Sequence, residues 1–170
     1  MKKIFLLLVF ILSFEYSYAE NKIAYIDINN ILNNSIVGKS ISEHIQNIKI
    51  KKNEEFSEIE KKLLDKEKDI IKKKNILEKN IYEEQVVLLN KEVSEYNIKK
   101  KNFNKEIEEK KVKYTKTVLN SLNSIVSKYV EENSISIVLP KKNLIIAKKD
   151  LDITNIIMNL LNNDLKEIAF

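Results

Sequence analysis

The chain contains one glycine, Gly38, and one proline, Pro140, so the long stretch between them has neither of the two strongest breakers of regular structure. Long helices are the natural reading. Apolar residues recur there at threes and fours, first as Ile41, Ile45, Ile48, Phe56, Ile59, Leu63, Ile70 and Leu77. The same beat returns as Val86, Leu89, Val93, Tyr96, Phe103, Ile107, Tyr114, Val118, Leu122, Ile125 and Tyr129, which is the period of a coiled-coil seam.

One rod and two antiparallel helices are distinguished by a simple test. In a hairpin, residues that face each other have position numbers of nearly constant sum. Leu77 with Val86, Ile70 with Val93, Ile59 with Phe103, Phe56 with Ile107, Ile48 with Tyr114 and Ile45 with Val118 all add up to 162 or 163. The spacing therefore predicts a helical hairpin arm over residues 38–132 with its tip near Ile81. Charge supports the pairing: residues 43–60 hold three Lys and five acids, against eight Lys and three acids in 99–116. Each limb of about 45 residues would reach about 65 Å at 1.5 Å per residue. Lys52 opposite Lys110 and Lys111, and Leu63 opposite Lys100, should weaken the coil locally and let it bend.

A hairpin returns residue 132 beside residue 38, which gives the isolated strand pattern at Ile23 to Ile28 something to pair with. Ile135-Ser-Ile-Val-Leu139 and Leu144-Ile-Ile-Ala147 are β-branched runs joined by Pro140-Lys-Lys-Asn143, a loop of hairpin length. The last segment offers Asp152 or Thr154 as an N-cap and Ile156, Ile157, Leu160 and Leu161 as an apolar face to cover the sheet. The expected fold class is α+β, a small β body (20–37 and 133–170) carrying one long antiparallel coiled-coil hairpin. So thin a core commonly depends on oligomerisation. Ile23, Tyr25, Ile26, Ile28, Ile135, Ile137, Leu139, Leu144 and Ile146 are the expected oligomerisation residues, because both faces of the sheet are largely apolar.

Residues 1–19 read as a cleavable signal peptide: Lys2 and Lys3, an apolar run from Ile4 to Phe14, and small residues before a cleavage after Ala19. The run is shorter than a membrane span and ends at Glu15. The mature chain holds 28 Lys against 24 acids, a net charge of +4, with no Arg and no Cys. In an exported protein that balance points to anionic membrane surfaces or acidic polypeptides, and away from nucleic acid. The lysine runs 72–74 and 99–101 read first as solvated helix surface; Lys72, Lys73, Lys74, Lys99 and Lys101 are the candidates for contact with clients or anionic lipids. His44 has no ligand-spaced neighbours and reads as surface. With one His, no Cys and no glycine-rich loop, catalysis, cofactors and metals are not expected.

A signal peptide, KIAYIDINNILNNSIVGKS, a breaker-free hairpin, ISIVLPKKNLIIA and then DITNIIMNLL resemble, in motif and order, the Skp/OmpH family of periplasmic chaperones. The two end motifs carry the resemblance. It implies a homotrimer whose β segments form a central body and whose three arms enclose a cavity. It also implies an ATP-independent holdase that keeps unfolded outer-membrane β-barrel proteins soluble. The other reading of the same pattern is an exported structural or adhesive coiled-coil protein in which the arms serve as spacers.

Overall fold

The computed structural model describes residues 22–170, so the expected signal peptide and its cleavage point lie outside the described residues. Strand β1 (Lys22–Ile26) leads into a short helix α1 (Ile28–Asn34), followed by α2 (Ile36–Lys73) and α3 (Lys79–Glu132). Strand β2 (Ile135–Pro140) and helix α4 (Thr154–Asp164) complete the body. At 1.5 Å per residue α2 is about 57 Å long and α3 about 81 Å. The architecture is α+β: a long helical hairpin on a two-stranded sheet.

Two side-chain caps turn the chain from the strand into the arm. Asp27 ends β1 and accepts a hydrogen bond from the Asn30 backbone N–H at 2.9 Å, starting α1. Ser35, wholly buried, accepts from the Gly38 N–H at 3.1 Å and starts α2. Ile28 therefore belongs to a helix, not to the strand expected to extend that far; the Asp27 cap wins over the β-branched pattern. Gly38 lies inside α2, where an added Cβ would meet the Leu32 carbonyl oxygen at 2.0 Å and its carbon at 2.8 Å. The single glycine thus serves a close approach of α1 to α2 and breaks no helix.

Helix α3 ends at Glu132, and Ser134 takes a left-handed conformation with φ 53° to turn into β2. The two strands run parallel, with Ile23 beside Ile137, Ala24 beside Val138 and Tyr25 beside Leu139. Parallel strands need a long crossover. Here the whole arm is that crossover. The other edge of β1 is closed by residues 152–154: Ile153 N–H donates to the Tyr25 carbonyl at 3.0 Å and Asp27 N–H to the Thr154 hydroxyl at 2.9 Å.

The predicted third strand, Leu144–Ala147, does not form. Pro140 leads into a tight 3-10 turn over Lys141–Asn143, and Ile145 and Ile146 are almost wholly exposed. The 3-10 turn sits where the hairpin loop was expected, and the segment after it forms no strand on β2, while both edges of β1 are filled by β2 and by residues 152–154. Ile153, which stands at the N-cap of α4 in place of the expected Asp152 or Thr154, covers the sheet together with Ile157 and Leu161, whereas Ile156 and Leu160 are exposed. These buried residues form one core with Ala24, Ile26, Ile31, Val37, Val118 and Leu122, tying both ends of the arm to the body.

The tip lies at 74–78, not near Ile81, which is exposed inside α3. Asn75, a weak helix former whose side chain competes for backbone groups, sits in this turn. Contacts across the hairpin are shifted to match. Phe56 meets Phe103 at 5.7 Å, Glu60 pairs with Lys100 and Lys66 with Glu92, and these position numbers add up to 159, 160 and 158. The register is thus about one helical turn from the expected one. A slide of three or four residues keeps the same helix face inward, so periodicity alone does not choose between the two.

Gly38→Ala is expected to destabilise the folded protein by about 1–3 kcal/mol or more, because backbone atoms rather than a flexible side chain occupy the space. Chemical denaturation of the two proteins measures it; equal midpoints would mean that α1 and α2 are not packed as described.

Candidate functional site

Two surfaces stand out, the outer edge of β2 on the body, which no second strand covers among the described residues, and the braced arm that projects from the body. On the body, β2 has one edge hydrogen-bonded to β1, and Ile137 and Leu139 are exposed along it. Further along the chain, after half-buried Leu144, Ile145 and Ile146 have almost no cover. An exposed strand edge and uncovered isoleucines are each a surface that another chain can cover. Ile23 is likewise exposed, Ile135 and Leu144 are half-buried, and Tyr25 and Ile26 are buried within the chain itself. Lys141, directly after β2, reaches back towards the β1 side of the sheet, donating to Asp152 at 3.2 Å and lying 5.9 Å from the Tyr25 ring centre. Burial pushes the Asp152 carboxyl up, but hydrogen bonds from Thr154 and Lys141 outweigh it and hold it below its ordinary value.

The arm is held by a row of rings near its middle. Phe56 from α2 lies edge-on between Tyr96 at 5.8 Å and Phe103 at 5.7 Å from α3. Ile45, Phe56, Tyr96, Phe103, Ile107 and Tyr114 are buried together, with Ile48, Ile59 and Leu63 packed against them. Val118 is buried in the body core instead. Towards the tip the seam opens: Ile70, Leu77 and Val86 are half-buried and Val93 is exposed. Two helices alone cannot cover their own apolar residues there, and Leu64, Ile71, Ile76, Val87 and Leu88 all face outward, Ile76 at 81% exposure.

Where Lys100 interrupts the apolar beat, the structure builds a polar brace. The Tyr96 hydroxyl donates to Glu60 Oε1, and Lys100 Nζ donates to the same oxygen at 3.1 Å and to the Tyr96 hydroxyl at 3.2 Å. The bond from Tyr96, and then Lys100, hold the Glu60 carboxyl below its ordinary value of 4.5. Burial, and then its bond to Glu60, push the Tyr96 phenol up. Hydrogen bonds to Tyr96 and Glu60 raise Lys100. Lys66 and Glu92 tie the helices again nearer the tip at 2.6 Å. By spacing alone Lys100 is a defect in the seam; Glu60, one turn from the expected partner Leu63, is the sign of its role in the sequence. Lys72, Lys73, Lys74, Lys99 and Lys101 are all exposed, with Lys73 4.0 Å from Asp69. His44 is not free surface: it is half-buried and stacks on Phe170 at 3.8 Å.

The sequence matches the OmpH-like outer membrane protein family over residues 22–161, which spans both strands, the whole arm and most of α4. The chain belongs to that family. Among solved structures it is similar to that of a candidate OmpH-like outer membrane chaperone from Caulobacter crescentus, with a TM-score of 0.79 and 21% sequence identity. The match covers 87% of this chain and 88% of that one, and at this identity it bears on the fold. No curated protein matches the sequence. Among the described residues no group of His, Cys, Asp and Glu could hold a metal, and no helix is long and apolar enough to cross a membrane.

Glu60 works as a latch that depends on its charge. A carboxyl held below its ordinary value stabilises the folded arm at pH above 4.5, and that contribution fades as pH falls through the folded value. Replacing Glu60 with Gln should therefore lower the melting temperature at neutral pH, and lower it less at an acid pH well below 4.5. Melting curves by circular dichroism read this directly, and a Gln variant equally destabilised at both pH values would assign the loss to packing.

Proposed function

We propose that this protein is an ATP-independent periplasmic holdase that keeps unfolded outer-membrane β-barrel proteins from aggregating. It acts as a homotrimer, exported by a cleavable signal peptide ending at Ala19. The observation that carries the reading is the outer edge of β2, which no second strand covers among the described residues, followed along the chain by the uncovered Ile145 and Ile146, on a body too small to bury them. Neighbouring copies joining at that edge bring several arms side by side. Family membership and the long hairpin support the same assembly.

The arms suit a holding role. An unfolded outer-membrane strand is amphipathic and has unpaired backbone, so it aggregates unless shielded. Apolar side chains spread along the outer arm, among lysines, offer many weak contacts and no single deep pocket. Such contacts retain a client without imposing one conformation on it. Lys72, Lys73, Lys74, Lys99 and Lys101 would steer acidic clients and touch anionic lipid surfaces, an attraction that falls with salt because the Debye length is about 8 Å at physiological strength. No step calls for catalysis or for a cofactor.

Light scattering of the mature protein should give three times the monomer mass, and Ile145→Asp with Ile146→Asp should shift it towards monomer. A wild-type monomer would sink the cage. Added to an unfolded outer-membrane barrel, the wild type should suppress turbidity more strongly at low salt than at high salt; no suppression at any ratio would defeat the holdase reading. A stable oligomer without suppression would favour a spacer role for the arms.

A further inference from the structure

After α4 the chain turns back along the root of the arm. Ile168 packs against both the body core and the arm core, the only stretch besides Ile41 among the described residues to do so. Two residues on, the Phe170 ring lies flat on His44 of α2, with centroids 3.8 Å apart and planes within 9°. The edge of the same ring arrangement is closed by Tyr114 of α3, at 5.4 Å and 82° from Phe170. His44 and Tyr114 meet each other edge-on at 6.1 Å. Two neighbouring helices thus present one aromatic seat, and Phe170 fills it while remaining 52% exposed.

The occupant has the features of an extended amphipathic strand. Ile168 and Phe170 are two positions apart, the period that puts side chains on one face of a strand, and Ala169 between them is exposed. The segment takes no helical or strand conformation, and ring stacking rather than a backbone ladder holds Phe170 in place. Outer-membrane strands combine the same alternation with bands of aromatic residues.

We propose that His44 and Tyr114 form a binding site for an aromatic side chain of an extended client segment, which Ile168–Phe170 occupies until a client ring displaces it. The proposal rests on the holdase reading and adds a defined seat to its diffuse contacts. A ring held at the arm root anchors one point of a client where α2 and α3 leave the body, while the rest of the client stays mobile between the arms. Because the chain's own ring competes, the seat favours segments rich in aromatics over merely apolar ones.

The test uses the mature chain and two labelled twelve-residue peptides of alternating apolar and polar residues, one with a central Phe and one with Ala there. Removing the competitor by Phe170→Ala should tighten binding of the Phe peptide about three- to tenfold, the range of one aromatic pair, and leave the Ala peptide unchanged. In that background His44→Ala, a good helix former at a half-buried site, should reverse the gain. Fluorescence anisotropy gives the affinities, and circular dichroism with light scattering confirms that fold and assembly are kept. Equal affinity of the Phe peptide for wild type and Phe170→Ala, or equal changes for both peptides, overturns the seat. The wild type's suppression of barrel aggregation is scored separately. If suppression holds and the peptide difference is absent, the seat alone fails; if suppression is absent, the holdase reading fails and takes its premise away.

Discussion

Everything in this molecule depends on the return of α3 along α2. Among the described residues strand β1 has one strand partner, and that partner lies beyond the entire arm. The parallel pairing of β1 with β2 exists because the hairpin brings Val118 and Leu122 back against Val37 and Ile31 in a single core with α4. The aromatic row of Phe56, Tyr96 and Phe103 then sets how the two helices face each other further out. Loss of that return would separate the strands and leave the body with no sheet at all.

The gradient of packing along the arm has a functional meaning. Near the body the seam is dry and aromatic, in the middle it is braced by Tyr96, Glu60 and Lys100, and towards the tip it is half-open. Local stability should fall in the same direction, since fewer buried contacts oppose opening. In the proposed holdase, an arm that is firm at the root and yielding at the tip would adapt to clients of different bulk without losing its place in the assembly. The body shows the complementary design. Its core is buried, yet Ile137 and Leu139 on β2 and the Ile145–Ile146 segment are exposed.

Much of this was legible before any coordinates. The missing breakers, the three-and-four beat and the β-branched runs at both ends point to a small sheet and a helical hairpin, and the buried side of the arm comprises residues of that beat. Legibility stops where a choice depends on partners rather than on period. Ile28 was drawn into the strand by its side chain, although the Asp27 carboxylate had already begun a helix. Leu144–Ala147 has strand composition, but the chain enters it through a 3-10 turn at Lys141–Asn143 in place of the expected hairpin loop and forms no strand there. His44 looked solitary because its stacking partner Phe170 stands at the far end of the sequence.

The sequence by itself determined the class of fold and which faces turn inward, because helix and strand periods are local properties that side-chain spacing records. Only the tertiary structure decided the turn at 74–78, the register one helical turn away, the closure of β1 by residues 152–154 and the seating of Phe170. A helix face repeats every three or four residues, so neighbouring registers present nearly the same stripe. What separates them is the fit of particular rings and charged groups across the interface, which exists only once the two helices have met.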